Sequence, residues 1–60
     1  MCLANDYEEK NKTLLMENTK TIDVKDDTVI LTDLFGGVKE IKGVISHIDL
    51  EENIIIIKVL

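Results

Sequence analysis

The 60-residue sequence has no proline and no tryptophan, two aromatic residues, one cysteine and one histidine. Each shortage removes a class of function. Tyr7 and Phe35 are too few to build the stacking platforms of the usual single-strand nucleic-acid binder. Cys2, alone, cannot close an internal disulfide, and there is no CxxC pair or Cys/His array for structural zinc. The basic residues are seven lysines scattered along the chain against 12 acids; the net charge of -5 makes the surface repel phosphate backbones, which disfavours nucleic acid as a partner. Lys10 and Lys12 are the nearest approach to a basic cluster. The longest uninterrupted apolar run, Ile54 to Ile57, is far too short to span a bilayer, and no secretory signal is present. The chain therefore reads as cytoplasmic, without a membrane partner, in a compartment where a free thiol stays reduced. Catalytic pairings are missing too: no nucleophile stands beside a base, and an enzyme is not expected.

What is present is short and dominated by β-branched residues. The length allows a single domain, residues 1–60, and a chain of this size buries only about 60% of the surface its unfolded form exposes. Its core is expected to be thin. With no internal disulfide and no structural zinc to reinforce that core, self-association is the remaining source of stability.

The chain carries strand signals throughout. Residues Cys2 to Tyr7 alternate, and turning Leu3 and Tyr7 inward sends Cys2, Ala4 and Asp6 outward on a first strand. Glu8 to Lys12 is a polar turn, Leu14-Leu15-Met16 a short second strand, and Asn18 its end. Alternation resumes at Ile22 and Val24, and Asp26-Asp27 forms the tight acidic turn of a hairpin into Val29-Ile30-Leu31. Phe35-Gly36-Gly37 is the strongest turn signal, because glycine accepts positive φ at no steric cost. From Val38 to Leu50 the apolar parity shifts at Gly43, which predicts a bulge or bend that lets one long strand serve two neighbours. Glu51-Glu52-Asn53 turns the chain into Ile54–Ile57, whose unbroken β-branched run predicts cover on both faces. No window holds a helical period well; Tyr7 to Asn18 is helical by propensity only. The expected fold is all-β: a small SH3-like barrel of five to six short antiparallel strands.

Among candidate ligands, Cys2 stands out for its place beside the amino terminus. A thiolate is a soft metal ligand, and removal of Met1 would let the α-amine and sulfur of Cys2 close a five-membered chelate. With Met1 kept, the backbone amide and thiolate still offer nitrogen and sulfur. One such residue cannot saturate a metal, so a second copy must complete the set, and a metal site here implies a homodimer. Amine, amide and thiolate donors suit nickel(II) and also copper(II), which has the higher intrinsic affinity. The bland reading is an incidental thiol in a protein-interaction module. His47 has no ligand spacing around it and reads as a surface histidine on a strand. Asp26, Asp27 and Asp33 lack the calcium-loop spacing and read as solvated turn residues, and Gly36-Gly37 lacks the lysine and helix of a phosphate loop.

Taken together, Met1-Cys2-Leu3-Ala4, Leu14 to Asn18, Leu31-Thr32-Asp33-Leu34-Phe35-Gly36, Gly43-Val44-Ile45 and Ile48-Asp49-Leu50 resemble the CooT family in order and spacing. Its members are small proteins often labelled RNA-binding, and its named member is an accessory protein for nickel insertion into carbon monoxide dehydrogenase. The resemblance spans nearly the whole chain. It implies an SH3-like β fold, a homodimer, and nickel(II) held at the dimer interface by Cys2 of each subunit. The label leaves a small RNA-binding module as the alternative.

Overall fold

The computed structural model describes residues 3–60. Five strands, β1 (Ala4–Glu8), β2 (Leu14–Lys25), β3 (Thr28–Asp33), β4 (Val38–Asp49) and β5 (Ile54–Val59), follow one another around a closed barrel. The all-β expectation holds, with two differences of detail. Neither β2 nor β4 is short, at 12 residues each, and the pair that closes the ring, β1 with β5, is parallel, while the other four pairings are antiparallel.

The long strands close the ring because each changes neighbour along its length. β2 pairs with β1 from Leu14 to Thr19 and with β3 from Thr19 to Lys25. Asn18 does not end the strand as the sequence suggested: it takes a positive φ of 57° inside a bulge, where asparagine tolerates the left-handed region better than most residues. β4 pairs with β3 as far as Lys42 and with β5 from Gly43 onward. The changeover at Gly43 was anticipated; the register irregularity itself lies further on, between Ile45 and His47. Gly43 is required for another reason. A Cβ at this position would collide with the carbonyl oxygen of Lys58, so β4 and β5 approach more closely here than any side chain permits.

The three expected turns between β2 and β5 all form, held by local acceptors. Asp26 adopts a φ of 55° in the two-residue connection between Lys25 and Thr28, and the Asp27 carbonyl accepts from the Gly43 amide at 2.8 Å. Oδ1 of Asp33 accepts from the amides of Phe35 and Gly37, each at 2.8 Å, while Gly36 supplies the positive φ. Asp33 is therefore half-buried and engaged, not the solvated turn residue expected from spacing alone. Oδ1 of Asp49 accepts from the amides of Glu51 and Glu52 at 3.0 Å.

The core consists of Val29 and Leu31 from β3, Ile41 from β4, and Ile55 and Ile57 from β5. Ala4, Leu15, Met16, Ile22 and Ile45 pack around it, partly buried. The isoleucine run of β5 alternates in burial: Ile55 and Ile57 are inside, while Ile54 and Ile56 are only half-covered, so the outer face is less protected than the β-branched run predicted. β1 contributes no residue to the buried apolar set.

Candidate functional site

Cys2 lies outside the described residues, which begin at Leu3, so the site is described from the head of β1 onward. Three hydrogen bonds donated by backbone amides fix this head. The Asn5 amide donates to the Asn53 carbonyl at 3.0 Å, the Asn18 amide donates to Oδ1 of Asn5 at 3.1 Å, and the Leu34 amide donates to the Asn18 carbonyl at 2.9 Å. The bulge in β2, the turn after β3 and the turn before β5 are thus tied in series around the start of β1. Both turns present apolar side chains to solvent: Phe35 is 84% exposed and Leu50 82%, with Leu34 and Ile48 beside them in sequence also exposed.

The direction of β1 is opposite to the one expected. Ala4 packs against the core and Asp6 is completely buried, so these residues face inward, and Tyr7 pairs with Ile56 on the half-covered outer face. The expected outward turn of Ala4 and Asp6 is corrected accordingly, and the companion expectation for Cys2 falls outside the described residues. The reason is chemical. Pattern reading sends a carboxylate to water because burying its charge is costly, and Leu3 and Tyr7 are larger apolar residues than Ala4.

Asp6 was missed as a residue of interest. It stands opposite Met16 of β2 and Ile55 of β5, its Oδ2 accepts from the Thr19 hydroxyl, and Thr19 is itself buried. Its Oδ1 is buried with no hydrogen-bond partner, the one such side-chain atom among the described residues. Burial pushes the Asp6 carboxyl above its ordinary value, and the Thr19 bond opposes that shift less strongly. The signal available in the sequence was an acidic residue inside an alternating strand with no basic residue placed to pair with it.

The other sequence candidates remain apart. His47 is exposed on β4 opposite Ile56, in keeping with a surface histidine on a strand. Asp26 and Asp27 are exposed in the β2–β3 turn. No group of three or more His, Cys, Asp or Glu side chains converges among the described residues, and no cavity is enclosed by them. Among the described residues no helix is long and apolar enough to cross a membrane.

Residues 1–58 match the family described as CO dehydrogenase accessory protein CooT. The chain belongs to the CooT family. The family is one of accessory proteins, not enzymes. Uncharacterized protein MJ1551 of Methanocaldococcus jannaschii is 47% identical over 58 residues, which cover 97% of this chain and 98% of that one. The crystal structure of a CooT assigned in Carboxydothermus hydrogenoformans superposes with a TM-score of 0.89 over 98% of both chains at 21% identity. At that identity the superposition establishes the shared barrel and nothing finer. The CooT barrel is therefore reached here with Asp6 inside it.

Proposed function

We propose that this CooT protein is a cytoplasmic nickel(II)-binding homodimer that serves a carbon monoxide dehydrogenase, with Cys2 of each subunit supplying sulfur and main-chain nitrogen and residues 1–60 acting as one domain. The observation that carries the reading is the family match over residues 1–58, a span that includes Cys2. One thiol with its main-chain nitrogen does not saturate a metal, so a second copy completes the ligand set. The turns hydrogen-bonded in series to the head of β1 carry the exposed Phe35 and Leu50, apolar groups suited to contact with another protein, which supports the reading.

The donor set fits nickel in kind. Thiolate and main-chain nitrogen make the strong-field tetragonal environment that nickel(II) and copper(II) accept, whereas hard oxygen donors would favour magnesium or calcium. When bound, the metal is cargo for delivery. A cysteine thiol with an ordinary pKa of about 8.5 is mostly protonated at neutral pH, so loading displaces a proton and affinity rises with pH.

The test is a nickel titration of the processed protein and of Cys2→Ser, followed by native mass and by thiolate charge-transfer absorption. The parent takes up one nickel per pair of subunits, and the variant loses both the metal and the absorption while its circular dichroism is unchanged. Equal nickel uptake by the two proteins overturns the site.

A further inference from the structure

β1 is the least anchored strand of the barrel. Its inward residues are Ala4 and Asp6, and all five buried apolar side chains of the core belong to β3, β4 and β5. It is also the strand on which closure depends, since it fills the gap between β2 and β5. Its parallel pairing with β5 runs from Asn5 opposite Ile54 to Glu8 opposite Ile57, and Asp6 sits within that seam. Detaching β1 would break the ring and leave the apolar core of the other strands in place. Local opening of this sort is favoured where a segment adds little apolar burial.

We propose that β1 is latched by a proton on Asp6: with the carboxyl neutral the strand is seated between β2 and β5, and with it ionised the strand opens while β2 to β5 stay together. The neutral carboxyl needs little from its surroundings. With the proton on Oδ2, the bond to Thr19 reverses, the carboxyl donating to the threonine hydroxyl oxygen, and Oδ1 becomes an uncharged carbonyl oxygen. The ionised form keeps one donor, the Thr19 hydroxyl, and leaves Oδ1 charged, buried and unpaired.

The elements packed on Asp6 supply no countercharge. β2 presents Met16 and Thr19, and β5 presents Ile55. On β1 itself the nearest charged side chain of the same parity is Glu8, whose carboxylate is turned to the amides of Lys10 and Asn11 at 2.8 Å. From β4 the residue opposite Leu31 is Lys39, which is exposed and whose Nζ donates to the Leu15 carbonyl at 3.0 Å. Burial leads the influences on the Asp6 carboxyl, and no neighbouring charge figures among them. The sign follows. A carboxyl raised in the folded state contributes stability that is complete below its unfolded pKa of about 3.9 and is lost as the pH rises through its folded pKa.

Native-state amide exchange of the intact protein between about pH 4 and pH 8 reads the latch directly. The equilibrium for opening β1, measured at the amides of Asp6, Tyr7 and Glu8, should rise by up to about tenfold per pH unit until the folded pKa is passed. The core amides of β3, which pairs only with β2 and β4, should not follow, and Asp6→Asn, which cannot ionise, should lose the pH dependence of β1. Opening of β1 with the same pH slope in Asp6→Asn as in the parent overturns the proposal, as does opening only in step with the core. If Asp6→Asn does not fold, the side-chain carbon resonance of Asp6 in the parent decides: a midpoint above the ordinary carboxylate range supports the latch, and an ordinary one overturns it. The latch stands independently of the metal reading, because none of these measurements involves Cys2 or nickel.

Discussion

Gly43→Ala sets two opposed effects against each other at one atom. At a glycine with an ordinary φ, alanine usually stabilises by about 0.4–1 kcal/mol because it restricts the unfolded chain, and Gly43 is not among the positive-φ residues. The added methyl, however, meets the backbone of β5. It collides with the Lys58 carbonyl oxygen and lies 3.1 Å from Val59 Cα and 3.2 Å from the Lys58 carbonyl carbon. No side chain can rotate away, so β4 and β5 must separate where β4 changes neighbour. Overpacking of this type costs about 1–3 kcal/mol, which outweighs the entropic gain and leaves a net loss of about 1–2 kcal/mol. A 60-residue protein has on the order of 3–9 kcal/mol in total. With a urea slope of about 1 kcal/mol per molar, the denaturation midpoint should fall by about 1–2 M. Gly36→Ala supplies the contrast, because nothing lies within 4 Å of its Cβ position and φ is +87°. Its loss of about 1–2 kcal/mol comes from the dihedral alone, and asparagine there should recover part of it. A Gly43→Ala midpoint equal to or above the parent's would refute the close approach of β4 to Lys58.

Two further outcomes are expected. Asp33→Ala removes the acceptor of the Phe35 and Gly37 amides and should lower stability by about 1–3 kcal/mol, or roughly 5–20 °C in Tm, whereas Asp33→Asn, which keeps an oxygen in place, should lose less. Glu8 is held below its ordinary pKa first by the Asn11 amide and next by that of Lys10. Its contribution is therefore present above the unfolded pKa and lost as the pH falls through the folded one, so Glu8→Gln should show a shallower acid limb in a pH series of thermal melts.

The parts of the fold legible in the sequence are those set by local chemistry. Asp26-Asp27, Phe35-Gly36-Gly37 and Glu51 to Asn53 are turns because their residues accept positive φ or offer side-chain acceptors to nearby amides. The change of neighbour at Gly43 was legible from a shift of apolar parity. The parity of β1 was not, because it is seen only once the strand is paired between β2 and β5, with Asp6 opposite Met16 and Ile55, partners remote in sequence from residues 3–8. The length of β2 was obscured in the same way. Asn18 reads as a terminator locally, yet neighbouring strands on both sides carry the chain through it as a bulge. At the candidate site, Cys2, which lies outside the described residues, is singled out by residue type and position alone. The buried carboxyl four residues away was not, since pattern reasoning assigns charge to water unless a partner is visible.

The parallel pairing of the first strand with the last also constrains how the protein is made. Asn5 lies opposite Ile54, 49 positions later, so the closing seam is among the most non-local contacts the chain can form. Contacts of large sequence separation pay their loop-closure entropy late, which places the β2–β3–β4 meander early in folding and the docking of β1 near its end. Substitutions in the seam, such as Ile55→Val, should therefore speed unfolding and leave the folding rate nearly unchanged. During synthesis β1 therefore has no seat beside β5 until that strand has left the ribosome, and it waits through the translation of the four strands that follow it.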